Sequence, residues 1–209
     1  MSDNQSDLVI LGGGSGGYAA ALRAAELGKS VVLIERDKVG GTCLHRGCIP
    51  TKALLHAGEI ADQARESSQF GVNATFEGID MGGVHKYKDG VVNKNHKGLV
   101  GLIKSRGIQI VEGEGRLTGP KTVTVNNGGT PASAGVAGGG DTYTGANLIL
   151  ATGSYSRTLP GLDLDGQRVI ASEHALQLDH VPTSAIVLGG GVIGVEFASA
   201  WKSFGTDVT

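Results

Sequence analysis

The chain has 209 residues with 36 glycines, a hydrophobic content of 40% and a formal net charge of −2. This composition predicts a globular protein and excludes the basic excess typical of proteins that bind nucleic acid or anionic membranes. No apolar run reaches the roughly 18 residues that a membrane span needs. The polar start resembles neither a secretory signal nor a transit peptide, so we expect a cytoplasmic protein, where a close cysteine pair is more often catalytic or metal-binding than structural.

The first 35 residues predict a strand, a glycine turn, a helix and a second strand. Residues 7–11 form an apolar run that leads into GGGSGG, and residues 18–27 have helical spacing. Residues 30–34 form a second buried strand with Glu35 at its end. This order is the opening half of a doubly wound nucleotide-binding fold.

The next segment, GGTCLHRGCIPTK at residues 40–52, places four residues between Cys43 and Cys48. A long helix is predicted for residues 51–67, with Pro50 at its start, where a proline is tolerated. A second long, polar helix is predicted for residues 80–103, although several glycines interrupt it.

Short strands are predicted beyond this helix, at residues 108–112, 116–117, 122–126 and 142–143, with a buried strand at residues 147–151. The intervening run at residues 127–140, NGGTPASAGVAGGG, cannot bury a core and is predicted to be a flexible hairpin tip. We therefore expect a β-meander inserted into a first domain at residues 1–153.

The opening pattern then repeats. A connection at residues 154–180, with a short helix at residues 172–176, leads to an apolar run at residues 184–188 and a second glycine-rich loop, GGGVIG. A helix through Phe204 and the start of another strand follow. The predicted fold class is α/β: a doubly wound domain with an inserted β-meander, then the start of a second Rossmann-like domain at residue 181.

The first glycine motif consists of Gly12, Gly14 and Gly17. The first glycine permits the tight turn, the second lets a pyrophosphate approach the backbone, and the third lets the helix pack closely on the strand. Glu35 follows Gly17 by eighteen positions; a carboxylate there can accept hydrogen bonds from a ribose diol and disfavours a 2′-phosphate. The alternative is a glycine-rich turn with no ligand.

The second motif repeats this spacing at Gly189, Gly191 and Gly194. The residue that would select NAD or NADP is expected just beyond Thr209, so the sequence does not discriminate between them. A second copy without a ligand is the alternative here.

The cysteine pair allows three interpretations. A structural zinc site needs four ligands, and His45 and His56 are too few and poorly spaced. A structural disulfide would close only a small loop and would not persist in a reducing compartment. A redox-cycling dithiol fits best, because backbone dipoles at a helix N-terminus stabilise a thiolate, and Cys48 is better placed for this than Cys43.

Lys52 lies in the first turn of the helix that follows, which is electrostatically unfavourable for a cation. It is either a solvated surface lysine or a cation held near a flavin ring and paired with a carboxylate, for which Glu196 is a candidate. Residues 152–154 either donate hydrogen bonds to a second edge of the cofactor or form an ordinary turn.

Taken together, these residues resemble the flavin disulfide oxidoreductases. The GGTC…GC.P.K pattern is highly specific for that family, and the resemblance covers essentially the whole chain. Leu44 and the sequence IPTKALL at residues 49–55 are most similar to the members that oxidise dihydrolipoamide, although mycothione reductases share the IPTK sequence.

The resemblance implies that Gly12, Gly14, Gly17 and Glu35 hold the pyrophosphate and adenosine ribose of FAD, which makes residues 1–153 the first segment of an FAD-binding domain. The further FAD contacts that it implies are Gly41, Thr42, Lys52, Gly115, Thr152, Gly153 and Ser154. It also implies that NAD is bound by Gly189, Gly190, Gly191, Val192, Ile193 and Gly194, at the start of an NAD-binding domain.

The resemblance also implies a catalytic role for four residues. Cys48 would be the thiolate that exchanges electrons with the flavin, and Cys43 the thiol that exchanges with the substrate. Lys52 would sit near flavin N5, paired with Glu196. The enzyme would oxidise protein-bound dihydrolipoamide and reduce NAD, as a homodimer serving lipoyl domains of 2-oxoacid dehydrogenase complexes or of the glycine cleavage system, with no metal, nucleic-acid or membrane partner.

Two departures from the family pattern bear on this expectation. His45 and Arg46 replace the Asn-Val commonly found between the cysteines, and no C-terminal His–Glu pair of the kind contributed by the partner subunit is present. We therefore expect an N-terminal portion of a longer enzyme that is poorly folded and nearly inactive alone. The alternatives are an NADPH-dependent reductase of a low-molecular-weight disulfide and an inactive FAD-binding remnant.

Overall fold

The structure, a computed structural model, describes residues 4–126 and 140–209. It confirms the predicted α/β class. Apart from Gly140, the predicted hairpin tip at residues 127–140 lies outside the described residues. The strands are β1 (Asn4–Leu11), β2 (Val31–Glu35), β3 (Gln109–Glu112), β4 (Glu114–Gly119), β5 (Thr122–Asn126), β6 (Asp141–Leu150), β7 (Ser184–Ala185) and β8 (Asp207–Val208). The helices are α1 (Ser15–Glu26), α2 (Gly41–Arg46), α3 (Cys48–Arg65), α4 (Met81–Ser105), α5 (Ser172–Ala175) and α6 (Val192–Phe204), with a short 3-10 helix at Ser67–Phe70.

The chain packs as two compact units, the first formed by the residues up to Cys43 and by Asn95–Ser154. Its six strands form one sheet in the order β3-β2-β1-β6-β5-β4. The first four are parallel, and β4, β5 and β6 form the predicted antiparallel meander. Apolar clusters that include Val9 and Ile10 cover its two faces, since successive strand residues point to opposite sides.

One continuous strand, β6, replaces the two separate segments predicted at residues 142–143 and 147–151. It pairs antiparallel with β5 and parallel with β1, so it belongs to both the meander and the parallel sheet. Gly145, between the two predicted segments, is buried inside this strand, and a Cβ there would lie 2.9 Å from the backbone nitrogen of Val9. The expectation of a buried strand at residues 147–151 is wrong: none of these residues is fully buried, and Leu150 is 58% exposed.

The second unit comprises Leu44–Lys94 and Tyr155–Thr209. Its core is built where α3, α5 and α6 pack together, around Leu54, Leu176, Phe197 and Trp201. Two short parallel strands, β7 and β8, form a separate sheet. The predicted domain boundaries at residues 153 and 180 stay a prediction.

Three local predictions need correction. The helix α2 was not predicted, because its sequence GTCLHR is too short to show a period. Helix α3 begins at Cys48 rather than at residue 51; Pro50 fits there because the first-turn amides have no partner within a helix. Strand β7 ends at Ala185 rather than at residue 188, and Ile186 is 83% exposed.

In the part of the chain that the structure describes, no helix has the length and apolar character to cross a membrane.

Candidate active site

The first glycine loop is closely packed against its neighbours. Gly12 has φ +105°, and a Cβ there would overlap the carbonyl of Ala151 after β6. A Cβ on Gly17, in the first turn of α1, would overlap the carbonyl oxygen of Gly12. The loop therefore presents bare backbone at the N-terminus of a twelve-residue helix, an arrangement that suits an anion such as a pyrophosphate.

Glu35 lies at the end of β2, next to this loop. Its Oε2 accepts a hydrogen bond from the Gly13 amide at 2.7 Å, and its Oε1 accepts one from the Asp37 amide at 2.9 Å. A carboxylate has about four acceptor positions, so both oxygens retain capacity to accept hydrogen bonds from ribose hydroxyls. Gly13 was not among the predicted contacts; the uninterrupted triple glycine is the sequence signal that marks it.

The start of α2 faces the same loop. A Cβ on Gly41 would lie 2.6 Å from the Gly14 Cα, so two glycines allow the two backbones to meet. Thr42 follows and is exposed. The cradle formed by these backbones fits the pyrophosphate and ribose that a bound FAD would present here.

The other predicted FAD contacts in the first unit lie on strand β4 and directly after strand β6. Gly115 lies on β4, and a Cβ there would stand 2.6 Å from the Leu11 side chain, so core packing accounts for its small size. Thr152, Gly153 and Ser154 are exposed directly after β6, whose end is fixed by a hydrogen bond from the Ala151 amide to the carbonyl of Leu11 at 2.8 Å.

The two cysteines occupy consecutive helices, Cys43 within α2 and Cys48 at the first position of α3. Both are thiols, and Cys48 is exposed whereas Cys43 is half-buried. Cys48 thus stands at the first position of the eighteen-residue α3, where the first-turn amides have no partner within the helix. His45 and Arg46 lie in the last turn of α2, immediately before it.

Lys52 and Glu196 lie in the second unit and form an ion pair. Nζ of Lys52, one turn after Cys48 on α3, donates to Oε1 of Glu196 on α6 at 2.5 Å. The carboxylate side chain is 21% exposed and the lysine side chain 58% exposed. The pairing expected for these residues is therefore present in the structure; their catalytic role stays a proposal.

The second glycine loop repeats the internal packing of the first. Gly189 has φ +113°, and a Cβ on Gly194 would overlap the Gly189 carbonyl oxygen. Gly190, Gly191, Val192 and Ile193 are exposed around the N-terminus of the thirteen-residue α6. This loop leaves backbone exposed at a helix N-terminus, an arrangement that suits an anion such as a phosphate.

Sequence reasoning did not single out the buried Lys88 on α4. Its Nζ donates to the carbonyl of Leu176 at 2.9 Å and lies 3.3 Å from the Asp89 carboxylate, and only 2% of its side chain is exposed. It anchors the end of α5. Lys88 is one of five lysines on a polar helix, so the sequence does not indicate which of them is buried.

Within residues 4–126 and 140–209, no three His, Cys, Asp or Glu side chains are grouped so that they could hold a metal ion.

Known proteins are similar to this chain over nearly its whole length. The family model described as pyridine nucleotide-disulphide oxidoreductase matches residues 6–209. The chain belongs to this family. The pyridine nucleotide-disulphide oxidoreductases thus account for the two glycine loops and the cysteine pair together, and membership confirms the resemblance drawn from the sequence.

Relatives within the family agree with this placement. The chain is 45% identical to a dihydrolipoyl dehydrogenase of Bacillus subtilis over 97% of its own length and 43% of the relative's. It is 40% identical to dihydrolipoyl dehydrogenase 2 of Haloarcula marismortui over 98% of its length and 42% of the relative's. Its fold is similar to that of LpdA from Mycobacterium tuberculosis, with a TM-score of 0.83 and 27% identity over 98% of this chain and 44% of that one. The chain thus spans less than half the length of these relatives.

Proposed function

We propose that this chain carries the flavin-proximal half of a dihydrolipoyl dehydrogenase, which oxidises protein-bound dihydrolipoamide through a Cys43–Cys48 disulfide and FAD and reduces NAD. The observation that carries the proposal is the position of Cys48, an exposed thiol at the first residue of α3, one turn before the Lys52–Glu196 ion pair. Similarity to two dihydrolipoyl dehydrogenases at 40–45% identity supports the choice of substrate class.

The first step of the proposed reaction is thiol–disulfide exchange. A thiolate of the substrate attacks the sulfur of Cys43 and displaces the thiolate of Cys48. The second substrate thiol then attacks the mixed disulfide, which releases the cyclic substrate disulfide and leaves Cys43 and Cys48 reduced. The substrate loses two electrons and two protons.

The remaining residues would bind and orient the two nucleotide cofactors. Gly12, Gly14 and Gly17 offer backbone amides to the FAD pyrophosphate, Glu35 accepts hydrogen bonds from its adenosine ribose, and the second loop, residues 189–194, binds NAD. When bound, FAD would supply the two-electron transfer between the reduced Cys43–Cys48 pair and NAD. Lys52, paired with Glu196 one turn after Cys48, would hold a cation near the bound flavin.

The proposed partners follow from the proposed substrate. Lipoyl domains of 2-oxoacid dehydrogenase complexes or of the glycine cleavage system would deliver the dithiol, and the working enzyme would be a homodimer in the cytoplasm. An NADPH-dependent reductase of a low-molecular-weight disulfide is the alternative use of the same residues, and the experiment below separates the two.

The test is anaerobic titration of the full-length, FAD-loaded protein with dihydrolipoamide, followed by absorbance at long wavelength. We expect a thiolate–flavin band that is absent in Cys48→Ser and retained in Cys43→Ser, because only Cys48 is proposed to face the flavin. Turnover of dihydrolipoamide should exceed that of a low-molecular-weight dithiol and should require NAD rather than NADP.

Two results would overturn the proposal. A band that survives in Cys48→Ser would contradict the assigned roles of the two thiols. Reduction of a low-molecular-weight disulfide by NADPH, without oxidation of dihydrolipoamide, would select the alternative reductase.

A further inference from the structure

The helices α3 and α6 run parallel, as contacts at both of their ends show. Near their N-terminal ends, Lys52 pairs with Glu196. Near their C-terminal ends, Asp62 and Arg65 of α3 both contact Ser203 of α6. Because a helix is a stiff rod with a 1.5 Å rise per residue, a slide of α6 along α3 would move both ends by the same amount.

Four side chains form a latch at the C-terminal end, which we define as Asp62, Arg65, Phe76 and Ser203. The Ser203 hydroxyl donates to Oδ2 of Asp62 at 2.5 Å, and Nη1 of Arg65 donates to Oδ1 of Asp62 at 2.8 Å. The same Nη1 donates to the carbonyl oxygen of Ser203 at 2.6 Å, and the guanidinium lies 4.0 Å from the centre of the Phe76 ring. Side chains of α3 therefore hydrogen-bond to both the hydroxyl and the carbonyl of Ser203. These two contacts restrict both the sliding of α6 along the axis of α3 and its sideways displacement.

The two helices touch at Gly58. A Cβ at that position would lie 3.0 Å from the Cβ of Ser203, a tight contact that would make Ser203 give by a few tenths of an ångström, and 3.7 Å from the carbonyl oxygen of Ala200. Gly58 therefore lies at a close contact between α3 and α6. Glycine within a helix costs about 1 kcal/mol relative to alanine, and the close contact with α6 accounts for its use here.

We infer that Gly58, Asp62, Arg65 and Ser203 are positioning residues that set the register of α6 on α3 and thereby hold Glu196 opposite Lys52. This inference rests on the proposed function, in which that ion pair lies beside the reactive thiol. A shift of about 1 Å or more would lengthen the Lys52–Glu196 contact from 2.5 Å to beyond hydrogen-bonding distance. The positive charge of Lys52 would then be less neutralised, one helical turn from Cys48, and would favour the Cys48 thiolate.

The test is the alkylation rate of Cys48 by iodoacetamide at a fixed pH of about 7, because alkylation follows the thiolate fraction. All variants are made in the full-length, FAD-loaded protein carrying Cys43→Ser, so that Cys48 is the thiol that reacts; His45 and Arg46 are unchanged throughout. Glu196→Gln gives the reference for a lost ion pair, with an expected rise in rate of about threefold.

Gly58→Ala should raise the rate by a smaller factor than Glu196→Gln, because Ser203 has to give by only a few tenths of an ångström. Ser203→Ala should raise it less again, because Arg65 still holds the Ser203 carbonyl. Combining Gly58→Ala with Glu196→Gln should give no further rise, because the pair is already lost. The matched controls are Gly90→Ala on α4, where a Cβ would meet nothing within 4 Å among the described residues, and Ser199→Ala on the exposed face of α6. Both should leave the rate unchanged.

Three results would overturn the inference: effects of Gly58→Ala and Glu196→Gln that multiply, a rate for Gly58→Ala equal to that of Gly90→Ala, or no effect of Glu196→Gln itself. If Gly58→Ala does not fold, the milder Ser203→Ala compared with Ser199→Ala decides the same point. Failure of the proposed function is detected separately, since it would abolish dihydrolipoamide oxidation in the unmodified protein and leave the alkylation rates as a measure of register.

Discussion

The two glycine loops have the same internal geometry and different surroundings. In both, the first glycine has φ above +100° and the third glycine leaves no room for a Cβ beside the carbonyl of the first. In the first loop, Gly12 also abuts Ala151 and Gly14 abuts Gly41. In the second, a Cβ on Gly189, Gly190 or Gly191 would meet nothing within 4 Å among the described residues.

This difference separates two uses of glycine. The contact between the third glycine and the first carbonyl is intrinsic to a strand–turn–helix with this spacing, so it recurs in both loops. The contacts at Gly12 and Gly14 depend on the neighbouring strand β6 and helix α2, so they occur where those neighbours exist. We expect substitutions to destabilise the first loop more than the second.

The largest effect is expected for Gly17→Ala. Its Cβ would overlap the Gly12 carbonyl inside a loop that is already confined by Ala151, so relief by local movement is blocked. We expect a loss of roughly 3 kcal/mol or more in the free energy of unfolding, measured by urea denaturation, together with loss of bound flavin. The matched control is Gly16→Ala, at an exposed position where a Cβ would meet nothing within 4 Å among the described residues; equal losses in the two variants would contradict the prediction.

A smaller effect on stability is expected for Gly194→Ala. Its Cβ would overlap the Gly189 carbonyl, but the exposed loop can move aside, so the loss should be about 1–2 kcal/mol. Bound flavin should be retained while NAD affinity, measured by calorimetry, falls about tenfold or more. Gly191→Ala is the comparison: stability should change by less than about 0.5 kcal/mol, with affinity alone reduced. A loss of flavin in either variant would argue that the second loop does not bind the nicotinamide nucleotide.

The smallest effect concerns the strands that support the first loop. The Asp7 carboxylate in β1 accepts hydrogen bonds from the amide and the hydroxyl of Ser30, both at 2.9 Å. The hydrogen bond from the Ser30 amide is the main cause that lowers the pKa of Asp7 below its ordinary value of 3.8. The Ser30 hydroxyl and the positive charge of Lys29 make smaller contributions in the same direction. A lowered folded-state pKa stabilises the fold above the ordinary pKa, and this contribution is lost as pH falls through the folded value.

Asp7→Asn should therefore lower the midpoint of urea denaturation slightly at pH 7. The difference in midpoint between the variant and the unmodified protein should disappear at pH values below 3.8. The control is Asp163→Asn, an exposed carboxylate in the second unit. A gap that persists unchanged in acid would show that the carboxylate charge is not what anchors β1 to β2.

The sequence predicted those features that depend on local pattern. The glycine spacing, the strand–turn–helix order and the end of α6 at Gly205 all follow from periodicity and turn chemistry, and the structure has them. The pairing of Lys52 with Glu196 was expected from the family resemblance. By contrast, the latch at Ser203 and the burial of Lys88 depend on which helices meet, and no local pattern encodes that.

Strand β6 illustrates the same limit within the first unit. A glycine at position 145 usually indicates a break in a strand, yet here it lies where the β1 backbone comes close. Likewise, Ile186 lies in a largely apolar run, but the short β7–β8 pair leaves it 83% exposed. Burial depends on what packs over a strand, which the run itself does not specify.

The parallel arrangement of α3 and α6 has an electrostatic consequence. Each helix carries about half a positive elementary charge at its N-terminus, and the ion pair between Lys52 and Glu196 brings those two ends side by side. Lys52 adds a full positive charge, so this end of the pair would repel itself without negative groups nearby. The Glu196 carboxylate supplies one, so the ion pair relieves the repulsion between the two helix ends as well as joining them.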